Sequence, residues 1–342
     1  MNRLRVSVIG AGAWGRNHVR TVASLAEAEL TAVCDLDSKR REAAERQYPR
    51  TLVTADLDEA LDASEAVVVA TSAITHHDIA AAAIDRGLPV LVEKPFALSV
   101  TDAEDLAARA EAHGVPVLVG HLLLFHPVVE RLRKMVGTGD LGTIYYLYSQ
   151  RVNLGQVRPD ESALWSFGPH DISVALHLLG ESPVRVAAHG HSYLQPGIED
   201  VVFLTMEFAS GVIAHVQMSW LDPHKERRLT VVGSRRMAVF DDMQPREKLK
   251  IFDKGINRPP EYHSYGESLS VREGDISIPL VPNVEPLSAE LRHFVAVARG
   301  TESPRSGGRH GVEVVRVLEA AASSLKQGGA GVDLAAAEEG AR

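Results

Sequence analysis

The chain has 342 residues, 45% hydrophobic and 24% charged, an ordinary balance for a globular protein and enough length for two domains. Its formal net charge of −9 provides no basic footprint for nucleic acid and no attraction to an anionic membrane. The opening apolar run is too short for a signal peptide or a membrane span, and the single cysteine, Cys34, excludes an intrachain disulfide and suits a reducing, cytoplasmic compartment.

The first predicted element is a strand, LRVSVI, which runs into GAGAWG and then a helical pattern, GRNHVRTVA. The glycines of G-x-G-x-x-G have separate tasks. Gly10 permits a tight turn, Gly12 lets a pyrophosphate approach the backbone, and Gly15 lets helix pack on strand, with Ala13 and Trp14 between them. The helix N-terminus presents free N–H groups to the phosphates. A second strand, LTAVCDLD, ends at Asp35, 20 residues after Gly15. A carboxylate there accepts the adenosine ribose hydroxyls of NAD and repels the 2′-phosphate of NADP, so NAD is expected in preference to NADP. Lys39, Arg40 and Arg41 soften that preference. The alternative is that Asp35 caps the helix SKRREAAERQ.

The alternation continues through a helix at 56–63, a strand at 66–72, a helix closed by Gly87, a strand ending in VLVEKP, a helix at 101–113 and a strand at 115–121. Such a series predicts an α/β doubly wound parallel sheet over residues 1–121, whose ligands lie beyond the carboxyl ends of the strands. Thr71, Ser72, Glu93, Lys94 and His121 all lie at such ends. Pro95 biases Lys94 away from helix. A charged strand end is commonly just solvated, but this one falls on the rim of the expected cofactor crevice.

From residue 122 the pattern changes. HLLLFHPVVERLRKMVG reads as an amphipathic helix, TIYYLYSQRVN as a strand and PHDISVALHLLG as a helix stopped by Gly180. Six strand-like runs and two closing helices follow. Residues 122–342 are therefore predicted to form an α+β domain with a large open antiparallel sheet. The closing helices are expected to cover one face. The other, expected to be apolar and bare, would pair in a homodimer or homotetramer. His121 and His126 have no further ligands at metal-binding spacing, so no metal is expected.

VIGAGAWGRNHVR, CDLD, ATSAITHHDIAAAAIDRGLPVLVEKPFALS, GHLLLFHPVV and GDLGTIYYLYSQR, in that order and spacing, resemble the glucose–fructose oxidoreductase/inositol dehydrogenase (Gfo/Idh/MocA) family over nearly the whole chain. SQRVNLGQVRPD, PHDIS, GIEDVVFLTMEF, SWLDP and EPLSAELRHF further resemble members acting on nucleotide-linked amino sugars. The resemblance implies a Rossmann domain followed by a substrate and oligomerisation domain. It also implies that Lys94 works beside the nicotinamide, that His76 lies near the cofactor crevice, and that His170 matches a second catalytic position. Many members carry an aspartate four residues before that histidine. This chain has Ser166, which weakens any Asp–His relay, and Asp171 points about 100° away on a helix.

Elementary chemistry supports these roles. Hydride removal from a secondary alcohol needs a group to take the hydroxyl proton, and a lysine serves once burial or nearby charge lowers its pKa. Pairing with Glu93 would oppose this, so Glu93 is expected to face elsewhere. Pro169 favours a first helical position, which would put His170 in a first turn that disfavours the imidazolium. The expected substrate is a UDP- or dTDP-linked amino sugar, oxidised at C3 or reduced there as the ketone. Arg151, Asn153 and Arg158 would provide a polar rim for it, with His121 and Asp171 as further substrate contacts. The alternatives are a structural ion pair for Arg151, an inositol or free-sugar dehydrogenase, a 3-ketosugar reductase of a natural-product pathway, and a catalytically silent dinucleotide-binding sensor.

Overall fold

Short runs of branched apolar residues in the first third form six strands: β1 (Leu4–Ile9), β2 (Ala28–Cys34), β3 (Leu52–Thr54), β4 (Ala66–Val69), β5 (Val90–Val92) and β6 (Val117–Val119). They pair in parallel in the order β3-β2-β1-β4-β5-β6. Helices α1 (Gly15–Ser24), α2 (Ser38–Gln47), α3 (Leu57–Asp62), α4 (His76–Asp85) and α5 (Val100–His113) make the crossovers. Every residue of β4 and β5 is buried, which is why these strands read as continuous apolar runs rather than alternating ones. Strand order reverses between β1 and β4, the place where such sheets bind ligands.

The computed structural model describes residues 2–155, 157–159, 161–257 and 270–334. They divide into two units: Met1–Phe125 with Val284–Arg316, and His126–Asn283 with Val317–Arg342. The chain thus returns to the first unit late, which the expected division at 121/122 did not include. His126 accepts the Val128 N–H at 3.2 Å and caps helix α6 (Pro127–Gly137). The single helix expected from 121 is accordingly a 3-10 turn at Leu122–Phe125 followed by α6.

In the second unit, β7 (Ile144–Val152) is followed by α7 (Ala163–Leu179), then β8 (Pro183–His191), β9 (Val201–Phe208), β10 (Ile213–Ser219), β11 (Glu226–Gly233), β12 (Met237–Asp241) and β13 (Leu249–Phe252). Short strands β14 (Gly255–Asn257) and β15 (Ser270–Arg272) pair with each other, and β16 (Ile276–Ser277) and β17 (Val332–Asp333) edge the main sheet. Its order is β16-β13-β12-β11-β7-β10-β9-β8-β17. The sheet is mixed rather than antiparallel, because β10 runs parallel to β7. The helical crossover through α7 restores the strand direction at β8, and two reversals then bring β10 back beside β7.

Val202, Leu204, Met206, Ala214, Val216 and Met218 line the buried face, against which α7 packs. The opposite face is not the apolar one expected. Exposed Tyr146, Tyr148, Phe203 and Ile213 share it with Gln150, Thr205, Glu207, His215 and Gln217, and Gln150 and Gln217 hydrogen-bond at 3.1 Å. The closing helices also differ from expectation. Helix α8 (Pro286–Ala298) places Leu287, Leu291 and Phe294 in the first unit's core with Val6, Val8, Val19 and Val22. Helix α9 (Gly308–Lys326) begins in the first unit and ends in the second, where Ser324 Oγ accepts the Ala188 N–H of β8 at 2.9 Å. No helix among the described residues is long and apolar enough to cross a membrane.

Candidate active site

The glycine loop after β1 has the geometry its spacing predicts. Gly10 has φ +94° and lies so close to the next strand that a Cβ would sit 2.7 Å from the Ala70 carbonyl oxygen. A Cβ on Gly15 would strike the Gly10 oxygen at 2.0 Å, whereas one on Gly12 would meet only the Arg40 guanidinium at 3.7 Å. The face of the loop at Gly12 is therefore open. No side chain caps α1 and no acidic residue occupies its first turn, so the positive end of its dipole suits a phosphate.

Asp35, buried at the end of β2, accepts the Ala11 N–H of the loop at 2.7 Å and the Asp37 N–H at 2.8 Å. The cap of α2 is Asp37, which accepts from the Lys39 and Arg40 N–H groups. Arg40 Nη1 lies 3.4 Å from Asp35 Oδ2. Ala13 and Trp14 complete the loop, with Trp14 half-exposed. An open glycine face, an uncapped helix end and a buried strand-end carboxylate together fit a dinucleotide.

At the carboxyl ends of β4 and β5 the ring of His76 lies between two backbone carbonyls. Its Nδ1 lies 2.8 Å from the Pro95 oxygen and its Nε2 3.3 Å from the Thr71 oxygen, and burial pushes its pKa down. Ser72 precedes a 3-10 turn in which the Thr75 hydroxyl donates to Thr71 Oγ1 at 2.8 Å. Lys94 is half-buried, and the Lys94–Pro95 bond is cis. Glu93 does not turn wholly away from Lys94, since its Oε2 accepts the Lys94 backbone N–H at 3.1 Å. It is buried, lies 2.6 Å from His18 Nε2 and accepts from the Trp14 indole N–H. Burial alone would raise its pKa, but the hydrogen bond and charge of His18, with Lys94 and Trp14, hold it below the usual carboxylate range.

His121 is buried edge-to-face against His310 with ring centroids 5.2 Å apart. Neither of its ring nitrogens has a hydrogen-bond partner among the described residues. Burial, then His310 and Lys94, drive its pKa well below the ordinary value, so it is a neutral imidazole. Sequence reasoning missed two members of this cluster. His18 stands three residues after Gly15, on the face of α1 that carries Val19 and Val22. Glu290 is wholly buried within the Leu287–Leu291–Phe294 stripe of α8, and the helical spacing of that stripe was the signal available. Burial and then Glu93 raise the Glu290 pKa well above normal.

The second unit corrects the reading of His170. Helix α7 begins at Ala163, so Pro169 is internal and His170 lies beyond the first turn. The dipole argument for a neutral imidazole therefore fails. Ser166, buried, sits one turn earlier on the same helix. Asp171 is taken up by Arg151, whose Nε lies 2.5 Å from Oδ2. Arg151 thus makes an ion pair, the alternative weighed against its place on the substrate rim. Asn153 follows β7 and donates its N–H to Ser219 at 3.1 Å. Arg158 is half-exposed and pairs with Glu161 at 2.8 Å. Among the described residues no group of three or more His, Cys, Asp or Glu side chains could hold a metal ion.

Residues 4–121 match the GFO/IDH/MocA oxidoreductase family with its NAD-binding Rossmann fold, and residues 129–239 match the GFO/IDH/MocA C-terminal domain. The chain belongs to this oxidoreductase family. Its cofactor is NAD, which agrees with the loop and Asp35 described above. The chain is 32% identical over 224 residues to inositol 2-dehydrogenase 2 of Saccharopolyspora erythraea, a match spanning 63% of this chain and 66% of that enzyme. It is 27% identical over 261 residues to UDP-N-acetylglucosamine 3-dehydrogenase of Acidithiobacillus ferrooxidans, covering 76% and 80%. A crystal structure of a protein described as an oxidoreductase from Magnetospirillum magnetotacticum MS-1 superposes with TM-score 0.80 at 33% identity, covering 94% of this chain and all of that one.

Proposed function

We propose that the protein is an NAD-dependent dehydrogenase acting on a ring secondary alcohol of a sugar or polyol, with Lys94 as the proton acceptor. The observation that carries this reading is the position of Lys94, half-buried just past the carboxyl end of β5, where parallel sheets of this kind hold their ligands. Bound NAD supplies the hydride acceptor. Asp35, the open face at Gly12 and the α1 N-terminus hold it, and Lys94 Nζ takes the hydroxyl proton as the carbinol C–H bond breaks. In the reverse direction the ammonium returns that proton to the ketone oxygen. Neutral His121 is proposed as a substrate contact from the same unit. His170 is proposed as a catalytic residue on the family resemblance, and Asn153 and Arg158 as polar contacts for the substrate.

For the substrate itself, a UDP- or dTDP-linked amino sugar reacting at C3 is supported by the local sequence resemblance and by the relative that acts on UDP-N-acetylglucosamine. One observation favours a second reading, an inositol or free sugar: the Arg151 guanidinium is engaged by Asp171 and has less to offer a diphosphate. The test is the absorbance of reduced nicotinamide with UDP-N-acetylglucosamine, myo-inositol and free N-acetylglucosamine as substrates. Turnover of the nucleotide sugar alone supports the first reading, and turnover of the polyol supports the second. NAD binding without turnover over a wide sugar panel would leave a silent sensor. A homodimer or homotetramer through the face bearing Tyr146, Tyr148 and Phe203 is part of the proposal, and light scattering tests it.

A further inference from the structure

Glu93 serves three partners from one buried position. Oε1 accepts from the Trp14 indole N–H and lies 2.6 Å from His18 Nε2, while Oε2 accepts the backbone N–H of Lys94 at 3.1 Å. These partners belong to different parts of the cofactor site. Trp14 is the half-exposed end of the glycine loop and the N-cap of α1. His18 is the fully buried residue one turn into that helix. Lys94 begins the turn after β5. The site is shaped for this carboxylate from a further side, since a Cβ on Gly120, just past β6, would come within 3.1–3.2 Å of Glu93 Cδ, Cα and Oε1. A carboxylate has lone pairs enough for all three contacts, and a charged acceptor makes each of them stronger than a neutral one would.

We propose that Glu93 is a positioning residue: its carboxylate ties the glycine loop to the backbone of Lys94, so that a dinucleotide seated on the loop fixes the orientation of the Lys94 amine. The inference rests on the reading of Lys94 as the proton acceptor. It assigns Trp14 a task that the glycine fingerprint does not, because any loop residue could span Gly12 to Gly15 but only one with a side-chain donor reaches Glu93. Ionisation of Glu93 at neutral pH is consistent with the tie. A purely space-filling role would need neither the indole donor nor the charge.

The test uses the full chain and reads Lys94 directly. Competitive acetylation by acetic anhydride, quantified at Lys94 by mass spectrometry, is measured with and without saturating NAD for wild type, Trp14→Phe, Glu93→Gln and the double variant. Calorimetric NAD titration of each variant sets the saturating concentration. NAD should change the wild-type labelling rate of Lys94. Trp14→Phe and Glu93→Gln should each reduce that response by roughly 2- to 150-fold, the range of coupling between residues in contact, and the double variant should be no worse than Glu93→Gln. A wild-type response in both single variants, or strictly additive effects, overturns the tie. If Glu93→Gln does not fold, Trp14→Phe decides alone, since it alters a half-exposed loop side chain. Turnover by Lys94→Ala separates the two claims. Near-normal turnover overturns the proton-acceptor reading and the tie with it, whereas an inactive Lys94→Ala with unmoved labelling in the other variants overturns the tie alone.

Discussion

Arg151 and Asp171 form a two-point ion pair that fastens β7 to α7, with Nε 2.5 Å from Oδ2, Nη2 3.4 Å from Oδ1, and side chains only 11% and 9% exposed. Removing one partner strands a buried charge, which costs about 3–5 kcal/mol. Asp171→Ala and Arg151→Ala are therefore expected to lose stability by about that much in urea unfolding. If Arg151→Ala instead kept full stability and raised only the KM for UDP-N-acetylglucosamine, Arg151 would be a substrate ligand after all.

Cofactor preference follows from Asp35 and its neighbour Arg40, 3.4 Å away. NAD should bind better than NADP, because a 2′-phosphate beside the carboxylate meets like charge. The half-exposed Arg40 offsets part of that repulsion, so Arg40→Ala should widen the preference for NAD. Asp35→Asn should narrow it, by roughly ten- to a hundredfold if one charge-assisted hydrogen bond is lost. Calorimetric titration with both dinucleotides checks these outcomes. Equal affinity of the wild type for NAD and NADP would contradict the role given to Asp35.

Glu290 makes stability depend on pH. Its folded pKa lies well above the ordinary 4.5 because burial and Glu93 oppose its charge, so between those values the folded chain holds a proton that the unfolded chain has released. Its contribution is fully present below pH 4.5 and is lost as pH rises through the folded pKa. Glu290→Gln should leave stability near pH 4.5 little changed and raise it at alkaline pH, giving a flatter Tm profile. Glu93 has the opposite sign. Its folded pKa is depressed, so its contribution is present above pH 4.5 and fades as pH falls through the folded value. A Glu290→Gln protein that is less stable than wild type at alkaline pH would show that the carboxylate form has a partner.

The parts of the site legible in the sequence are those whose chemistry is set by short spacing. Gly10, Gly12 and Gly15 announce a turn and a close approach that the backbone then makes, and Lys94 falls where a buried strand must end. What escaped notice joins distant residues: His18 meets Glu93 across 75 positions, and Glu290 reaches the same neighbourhood from α8. The start of α7 is not legible in the sequence because Pro169 resembles a helix-opening residue. Burial of Ala163, Leu164, Ser166 and Gly168 outweighs the lost backbone bond of an internal proline. The parallel β7–β10 pair was invisible for a similar reason, since strand direction there depends on a crossover and not on any local pattern.

The most direct test of the central claim compares Lys94→Ala with wild type on whichever sugar or polyol is turned over, alongside an NAD titration of both. The account predicts unchanged folding, nearly unchanged NAD affinity and a turnover reduced by about 10²–10⁴-fold, the loss typical of removing a general base. Near wild-type turnover in Lys94→Ala would return Lys94 to an ordinary solvated strand end and contradict the proposed chemistry.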